Sequence, residues 1–173
     1  KDESGNKTLE AESPDEKALV EGAARCGWSL VGRTSTSILV QTPIANAARR
    51  YEILAVNAFN SDRKRASLIV RDPSGEYQLL AKGADNVMLE RCKQGADADC
   101  AQLGTFARSG LRTLVLARRT LDRREWNAIS TELKAAQQDM TRREARLAAL
   151  AEAVEVNMQV VGVTGIEDKL QEH

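Results

Sequence analysis

The sequence predicts an α+β chain, and three observations carry that prediction. Two apolar, strand-like stretches, Ala66–Arg71 and Glu76–Ala81, flank the turn Asp72-Pro73-Ser74-Gly75, which reads as a β-hairpin. Residues 122–156 contain no Gly or Pro and are rich in Ala, Glu, Arg, Leu and Gln, a strongly helical composition. Between and around them, short β-branched runs alternate with helical ones. The chain has 173 residues, enough for one domain or one domain plus part of another, and 42% hydrophobic content suffices for a core.

From the N-terminus, residues 1–12 are polar and charged, a flexible lead-in. Ser13-Pro14-Asp15-Glu16 is a helix start: Ser13 caps, Pro14 suits the first helical position, and the two acids face the positive end of the dipole. Ala18, Leu19, Gly22, Ala23 and Cys26 continue at helical spacing until Gly27. Trp28–Val31 and Ser37–Gln41 read as strands around a Gly32–Ser35 turn, and Tyr51–Phe59 as a longer strand. After the hairpin, Ala84–Cys92 reads as a helix, Gln94–Asp99 as a loop and Cys100–Ser109 as a helix stopped at Gly110. Thr113–Ala117 is strand-like. The 122–156 stretch divides into two helices near Asp139–Thr141, where either residue can cap the second. Arg142, Arg143 and Arg146 read as a solvated face with Glu132 and Glu144 as partners, and Met158–Val163 is a last strand.

Composition excludes several functions. Lys plus Arg and Asp plus Glu both number 25, so no whole-surface attraction draws this chain to nucleic acid or anionic lipid. The three cysteines lack metal or disulfide spacing and read as reduced thiols. The sole histidine is His173, which removes serine–histidine triads and two-histidine metal sites. No apolar run approaches the roughly 20 residues of a membrane span. A chain opening on Lys1 reads as a segment of a longer protein.

Aromatics are only 3% of the chain, so Phe59 stands out. It ends a strand and precedes Asn60-Ser61-Asp62-Arg63-Lys64-Arg65; a core ring and a ring at a pocket mouth are both open readings. Arg63-Lys64-Arg65, the densest positive cluster, is either a solvated turn or a funnel for phosphates. Lys82-Gly83 at a strand end places a cation where glycine permits close backbone approach. Arg112 opens an apolar strand, suited to bidentate phosphate recognition or to a salt bridge. Glu16 can accept from an exocyclic amine, and Asp85 caps the helix that follows it. Neither phosphate-cradling glycine motif is present, so a nucleotide site here would be an open pocket on a sheet.

The strings S-P-D-E-K-A-L (13–19), F-N-S-D-R-K-R-A-S (59–67), K-G-A-D (82–85), G-L-R-T-L (110–114) and I-E-D-K-L-Q (166–171) occur in this order. In this they resemble the nucleotide-binding domain of type IV P-type ATPases, the phospholipid flippases. The resemblance implies an antiparallel sheet flanked by helices, with residues 1–156 as nucleotide-binding domain and 157–173 as the start of the return into a phosphorylation domain. It implies ATP as ligand, with Phe59 stacking on adenine, Glu16 at the adenine edge, Lys82 deep in the pocket, Ser61 and Lys64 bordering the nucleotide, and Arg112 with Thr113 facing the phosphates. Mg2+ would accompany ATP, held mostly by ligands outside this chain. The γ-phosphate would pass to an aspartate outside this chain, so the segment alone is expected to be inactive, and Asp168 would belong to the family's acidic motif. The implied partners are the phosphorylation and actuator domains of the same parent chain, a phospholipid substrate held by a membrane domain, and an accessory subunit; nucleic acid is not among them. The implied place is the cytosolic face of a membrane. Asn60 and Ala66 stand where the family usually carries Thr and Met. An interaction or regulatory module built on the Arg-rich helices 122–156 is the alternative.

Overall fold

The computed structural model describes residues 13–45, 47–93 and 97–167, with backbone alone for 97–99. The lead-in 1–12, Gln94–Ala96 of the expected loop and the Asp168 motif lie outside the described residues. The chain divides into two compact units, at Tyr51 and Glu52.

In the first unit, helix α1 (Pro14–Arg25) starts as its sequence dictates: the Ser13 hydroxyl accepts the Glu16 N–H at 3.2 Å. Gly27, at φ 85°, turns the chain into β1 (Ser29–Arg33), which pairs antiparallel with β2 (Ser37–Gln41). The connection differs from the expected Gly32–Ser35 turn. Gly32 lies inside β1 at a register shift, and the turn runs Thr34–Ser37. The reason is local: the Thr34 hydroxyl accepts the N–H groups of Thr36 and Ser37, so a side chain closes the turn without glycine.

The second unit is built on a sheet of sequential antiparallel neighbours: β3 (Arg49–Asn60, entering this unit at Glu52), β4 (Arg65–Arg71), β5 (Tyr77–Gly83), β6 (Arg112–Leu121) and β7 (Gln159–Ile166). The β4–β5 turn is held by Asp72, whose Oδ1 accepts from Ser74 Oγ at 2.6 Å and from the Ser74 and Glu76 N–H groups, with Gly75 at φ 89°. Burial would raise the Asp72 pKa, but these hydrogen bonds hold it below the usual carboxylate value.

Helices α2 (Asp85–Arg91) and α3 (Asp97–Arg108) join β5 to β6; α4 (Arg123–Gln138) and α5 (Arg143–Val154) join β6 to β7. All four contribute to one core. Met88, Leu103, Ile129 and Val154 pack on Ile69, Leu79, Val115, Ala117 and Leu121 of the sheet, and Trp126 of α4 stacks on Tyr77 at 5.5 Å. The break between α4 and α5 falls where expected, but neither Asp139 nor Thr141 caps α5: Arg142 holds the cap position with no side-chain bond, and Asp139 instead accepts the N–H groups of Thr141 and Arg142 in the connecting turn. Arg146 reaches back from α5 to Glu132 at 3.2 Å and Asp139 at 3.4 Å, so it clasps the helix pair. Gly165 of β7 is where Phe106 lies: a Cβ there would sit 2.9 Å from the Phe106 ring.

Candidate functional site

Strand register defines two faces in the second unit. Leu79, Ala81, Ile69, Val115 and Ala117 point into the helical core. Their alternating neighbours form the other face. One row across it reads Ala66, Lys82, Leu116, and the next reads Val56, Leu68, Leu80, Arg118; the two rows are about 7 Å apart along the strands. A β-bulge shapes the near end of the first row. Asn57 pairs with Ser67 and Asn60 with Arg65, so Ala58 and Phe59 together oppose Ala66.

Phe59 is 66% exposed, and Val56 beside it 61%. The other phenylalanine is seated on Gly165; Phe59 is not packed into the interior. The row from Phe59 to Lys82 crosses two strand spacings, about 10 Å, with only the Ala66 methyl between. Leu68 and Leu80 lie in the adjoining row, both half-buried, and give an apolar floor. Lys82 is half-buried.

The turn after Phe59 is built by its own polar residues. Asn60 Oδ1 accepts the Asp62 N–H at 2.7 Å and the Arg63 N–H at 3.3 Å, and Lys64 N–H donates to the Asn60 carbonyl at 2.7 Å. Asn at position 60 therefore forms an Asx turn. Ser61 and Lys64 are exposed on this turn, and Lys64 holds φ 51°, a left-handed conformation unusual for a side-chain-bearing residue. Gly83 is needed here. A Cβ on it would lie 2.5 Å from Arg65 Cβ and 2.7 Å from the Lys64 carbonyl, which accepts the Ala84 N–H at 3.0 Å. The glycine of K-G-A-D thus admits the neighbouring backbone of the basic motif.

The Arg63-Lys64-Arg65 cluster is neither a solvated turn nor a three-cation funnel. Arg63 and Arg65 turn inward and both pair with Glu155 of the α5 C-terminus, Arg65 Nε at 2.6 Å. Arg65 also pairs with Glu152, which Arg91 engages from α2. Ser67 Oγ donates to Glu155 at 2.6 Å and accepts from Asn57 Nδ2 at 2.9 Å. Arg65 is 2% exposed and Glu155 fully buried. Burial would raise the Glu152 pKa, but hydrogen bonds and charge from Arg91 and Arg65 outweigh it and lower the value. Arg91 and Arg119 also donate to the last carbonyls of α5, at 3.2–3.4 Å. Local sequence reading missed Glu152 and Glu155. One signal was present: two acids in the last turn of a helix oppose its dipole and call for cations.

Arg112 and Thr113 open β6. Alternation puts Arg112 on the face of Leu114, Leu116 and Lys82, four residues and about 14 Å from Leu116; its side chain is exposed. Thr113 faces the helices and its hydroxyl donates to Asp85 Oδ2 at 3.5 Å. Asp85 is the first residue of α2 and not its cap; Ala84 holds the cap position with no side-chain bond. Arg118 shares the face of Lys82 and went unread, although Arg112, Leu114, Leu116 and Arg118 alternate regularly. The structure thus brings Phe59, Lys82 and Arg112 to one face, with Ser61 and Lys64 at its rim. Glu16 belongs to the first unit, half-buried in the first turn of α1.

Among the described residues, no group of three or more acidic, histidine or cysteine side chains is arranged to hold a metal ion, and no helix is long and apolar enough to cross a membrane.

The chain matches the family model "P-type ATPase, cytoplasmic domain N" over residues 1–173. It is 40% identical over 179 residues to phospholipid-transporting ATPase 10 of Arabidopsis thaliana, covering 98% of this chain and 15% of the relative. It is 39% identical to phospholipid-transporting ATPase DRS2 of Saccharomyces cerevisiae and 41% identical to phospholipid-transporting ATPase ID of Homo sapiens, each over 97% of this chain and 13% and 14% of the relative. It therefore spans about one seventh of the length of these relatives. An exposed phenylalanine bulge beside a strand-borne lysine, on a sheet backed by helices, sits within a full-length match to one family, and the chain belongs to the cytoplasmic N domains of the P-type ATPases.

Proposed function

We propose that this chain is the ATP-binding domain of a phospholipid-transporting P-type ATPase. One observation carries the reading: an exposed Phe59 ring at one end of a row that continues through the Ala66 methyl to Lys82, above Leu68 and Leu80. A purine offers two flat apolar faces and a polar edge, and this row offers a ring to stack on, an apolar floor and a cation. Arg112 lies further along the same face, at a distance that a ribose and extended triphosphate can bridge, with Ser61 and Lys64 at the rim. Thr113 is assigned to the phosphate end as the neighbour of Arg112, although its side chain faces the helices and donates to Asp85.

The domain binds ATP and presents its γ-phosphate to an aspartate outside this chain. It performs no hydrolysis alone. Mg2+ accompanies the nucleotide, held mostly by ligands outside this chain. In the whole protein, phosphorylation and actuator domains complete the cycle at the cytosolic face, and a membrane domain moves the phospholipid between leaflets, with or without an accessory subunit. Residues 1–156 form the nucleotide-binding portion and 157–173 lead back to the phosphorylation domain. In the alternative, helices 122–156 form an interaction module; Ile129, Ala136, Ala151 and Val154 bury the apolar faces of that pair inside the fold, which argues against a detachable tail and leaves docking to the exposed Arg123, Arg124, Arg142 and Arg143.

Affinity is expected between about 1 mM and about 100 μM, since one stacked ring and a few exposed cations offset only part of the binding entropy. An ATP titration followed by backbone NMR shifts tests the reading. Shifts centred on Phe59, Lys82 and Arg112, abolished in Phe59→Ala, support it; a Phe59→Ala chain that binds as well as the parent overturns it.

A further inference from the structure

We propose that Glu155, remote from any nucleotide-contacting surface, is a positioning residue that fixes Lys64 for the phosphates. The inference rests on the nucleotide-binding reading above and adds a residue to it.

The two residues flanking Lys64 both end on one carboxylate. Arg63 Nη2 donates to Glu155 Oε1, and Arg65 Nε donates to Glu155 Oε2 at 2.6 Å. Arg65 Nη1 also donates to the Arg63 carbonyl at 3.0 Å, closing a ring around the Lys64 backbone. Glu155 Oε1 accepts a third bond from Ser67 Oγ at 2.6 Å. The carboxylate is fully buried, so no water competes for it. Lys64, between its pinned neighbours, holds φ 51° while its side chain stays exposed.

A left-handed φ is unfavourable at a lysine and persists only where surroundings impose it. Asn60 and Gly83 supply part of that constraint and the double arginine strap supplies the rest. The chemistry of Glu155 is specific to this task. A carboxylate presents two acceptor oxygens in the geometry that two guanidiniums require. The isosteric amide keeps one oxygen and turns an N–H2 toward an arginine donor, which releases one strap. Glu155 acts on the core side of the sheet while Phe59 and Lys82 occupy the other, so its direct influence on the ligand runs through the turn that carries Lys64, and adenosine affinity reports any effect passed to Phe59 through Ser67 and Asn57.

The test uses the 173-residue chain and its Glu155→Gln, Arg63→Met, Lys64→Ala and Lys64→Ala/Glu155→Gln variants. Two readouts are taken. The first needs no ligand: hydrogen exchange at the Lys64 amide, which is bonded to the Asn60 carbonyl. Glu155→Gln should speed Lys64 exchange about tenfold or more while the Leu79 amide in the core keeps its protection. The second is the affinity for ATP and for adenosine, titrated separately. Glu155→Gln should weaken ATP about tenfold and adenosine less than about twofold, matching Lys64→Ala, and the double variant should lose no more than either single one.

Where Glu155→Gln does not fold, Arg63→Met decides with the same two readouts, since Arg65 still neutralises Glu155. Parental Lys64 exchange in the folded variant, or ATP losses that add in the double variant, overturns the proposal. Absence of ATP binding by the parent chain overturns the nucleotide reading instead, and the exchange measurement then still decides whether Glu155 holds the turn.

Discussion

Around the string from Phe59 to Ser67, the two faces of the second unit's sheet invert the usual distribution of polarity. Toward the helices, where aliphatic side chains are expected, the edge by β3 and β4 carries Arg63, Arg65, Ser67 and Asn57 converging on Glu155. On the opposite side of the same strands, where polar residues are expected, Phe59 and Val56 stand exposed beside Lys82. The nine-residue string from Phe59 to Ser67 divides by direction. Arg63, Arg65 and Ser67 look inward and hold the turn; Phe59, Ser61 and Lys64 look outward. The lesson is that a cationic motif can spend most of its charge on its own structure. Only one of the three consecutive basic residues is left to meet a ligand.

That contrast makes inward and outward substitutions separable. The largest effect is expected inward. Glu155→Ala leaves two buried guanidiniums without their acceptor and should lower stability by about 3–5 kcal/mol, read as the shift in urea midpoint; a loss under about 1 kcal/mol would mean that solvent reaches the network. Gly83→Ala comes next, at about 1–3 kcal/mol, because the new methyl meets the Lys64 and Arg65 backbone rather than a flexible side chain. Its cost should also appear as altered Lys64 and Arg65 amide shifts. Outward, Phe59→Ala should change stability by no more than about 0.5 kcal/mol while removing about 1–3 kcal/mol of ATP binding. A large stability loss there would return Phe59 to the core.

The smallest effect is pH dependence. Glu152, Asp72 and Asp139 all have folded pKa values below their ordinary ones of 4.5, 3.8 and 3.8. For Asp139 the leading cause is the N–H of Arg142. Groups with depressed values contribute stability that is full above the unfolded pKa and lost as pH falls through the folded one. The urea midpoint should therefore be flat above about pH 5 and decline below about pH 4. Glu152→Gln should make that decline shallower.

Much of this was legible locally. Ser13 caps α1, Asp72-Pro73-Ser74-Gly75 turns the hairpin, and Gly27 and Gly110 take the positive φ that ends each helical run. These features depend on neighbours within a few residues, which periodicity and propensity capture. The Asp122/Glu125 capping box was equally local, written in the D-R-R-E spacing, and went unread. What could not be read was the partner of the basic cluster. Arg63 and Glu155 are 92 residues apart, and no spacing rule links a turn to a helix end at that separation. Only the oddity of two acids at a helix C-terminus pointed to them. Phe59, Lys64, Lys82, Arg112 and Glu16 stood out from their residue types and sequence neighbours, whereas Ser61, Thr113 and the individual roles came from resemblance; the alternation of β6 explains why Arg112 lies on the face of Lys82 and Thr113 does not.

The central claim is that a purine lies between the Phe59 ring and the Lys82 side chain. Intermolecular nuclear Overhauser effects between bound ATP and the chain test it most directly. The adenine H2 and H8 protons should show cross-peaks to the Phe59 ring and the Lys82 methylenes, and none to the Ile129 or Leu150 side chains on the helical face. Cross-peaks confined to the helical face, or to the first unit alone, would contradict the account.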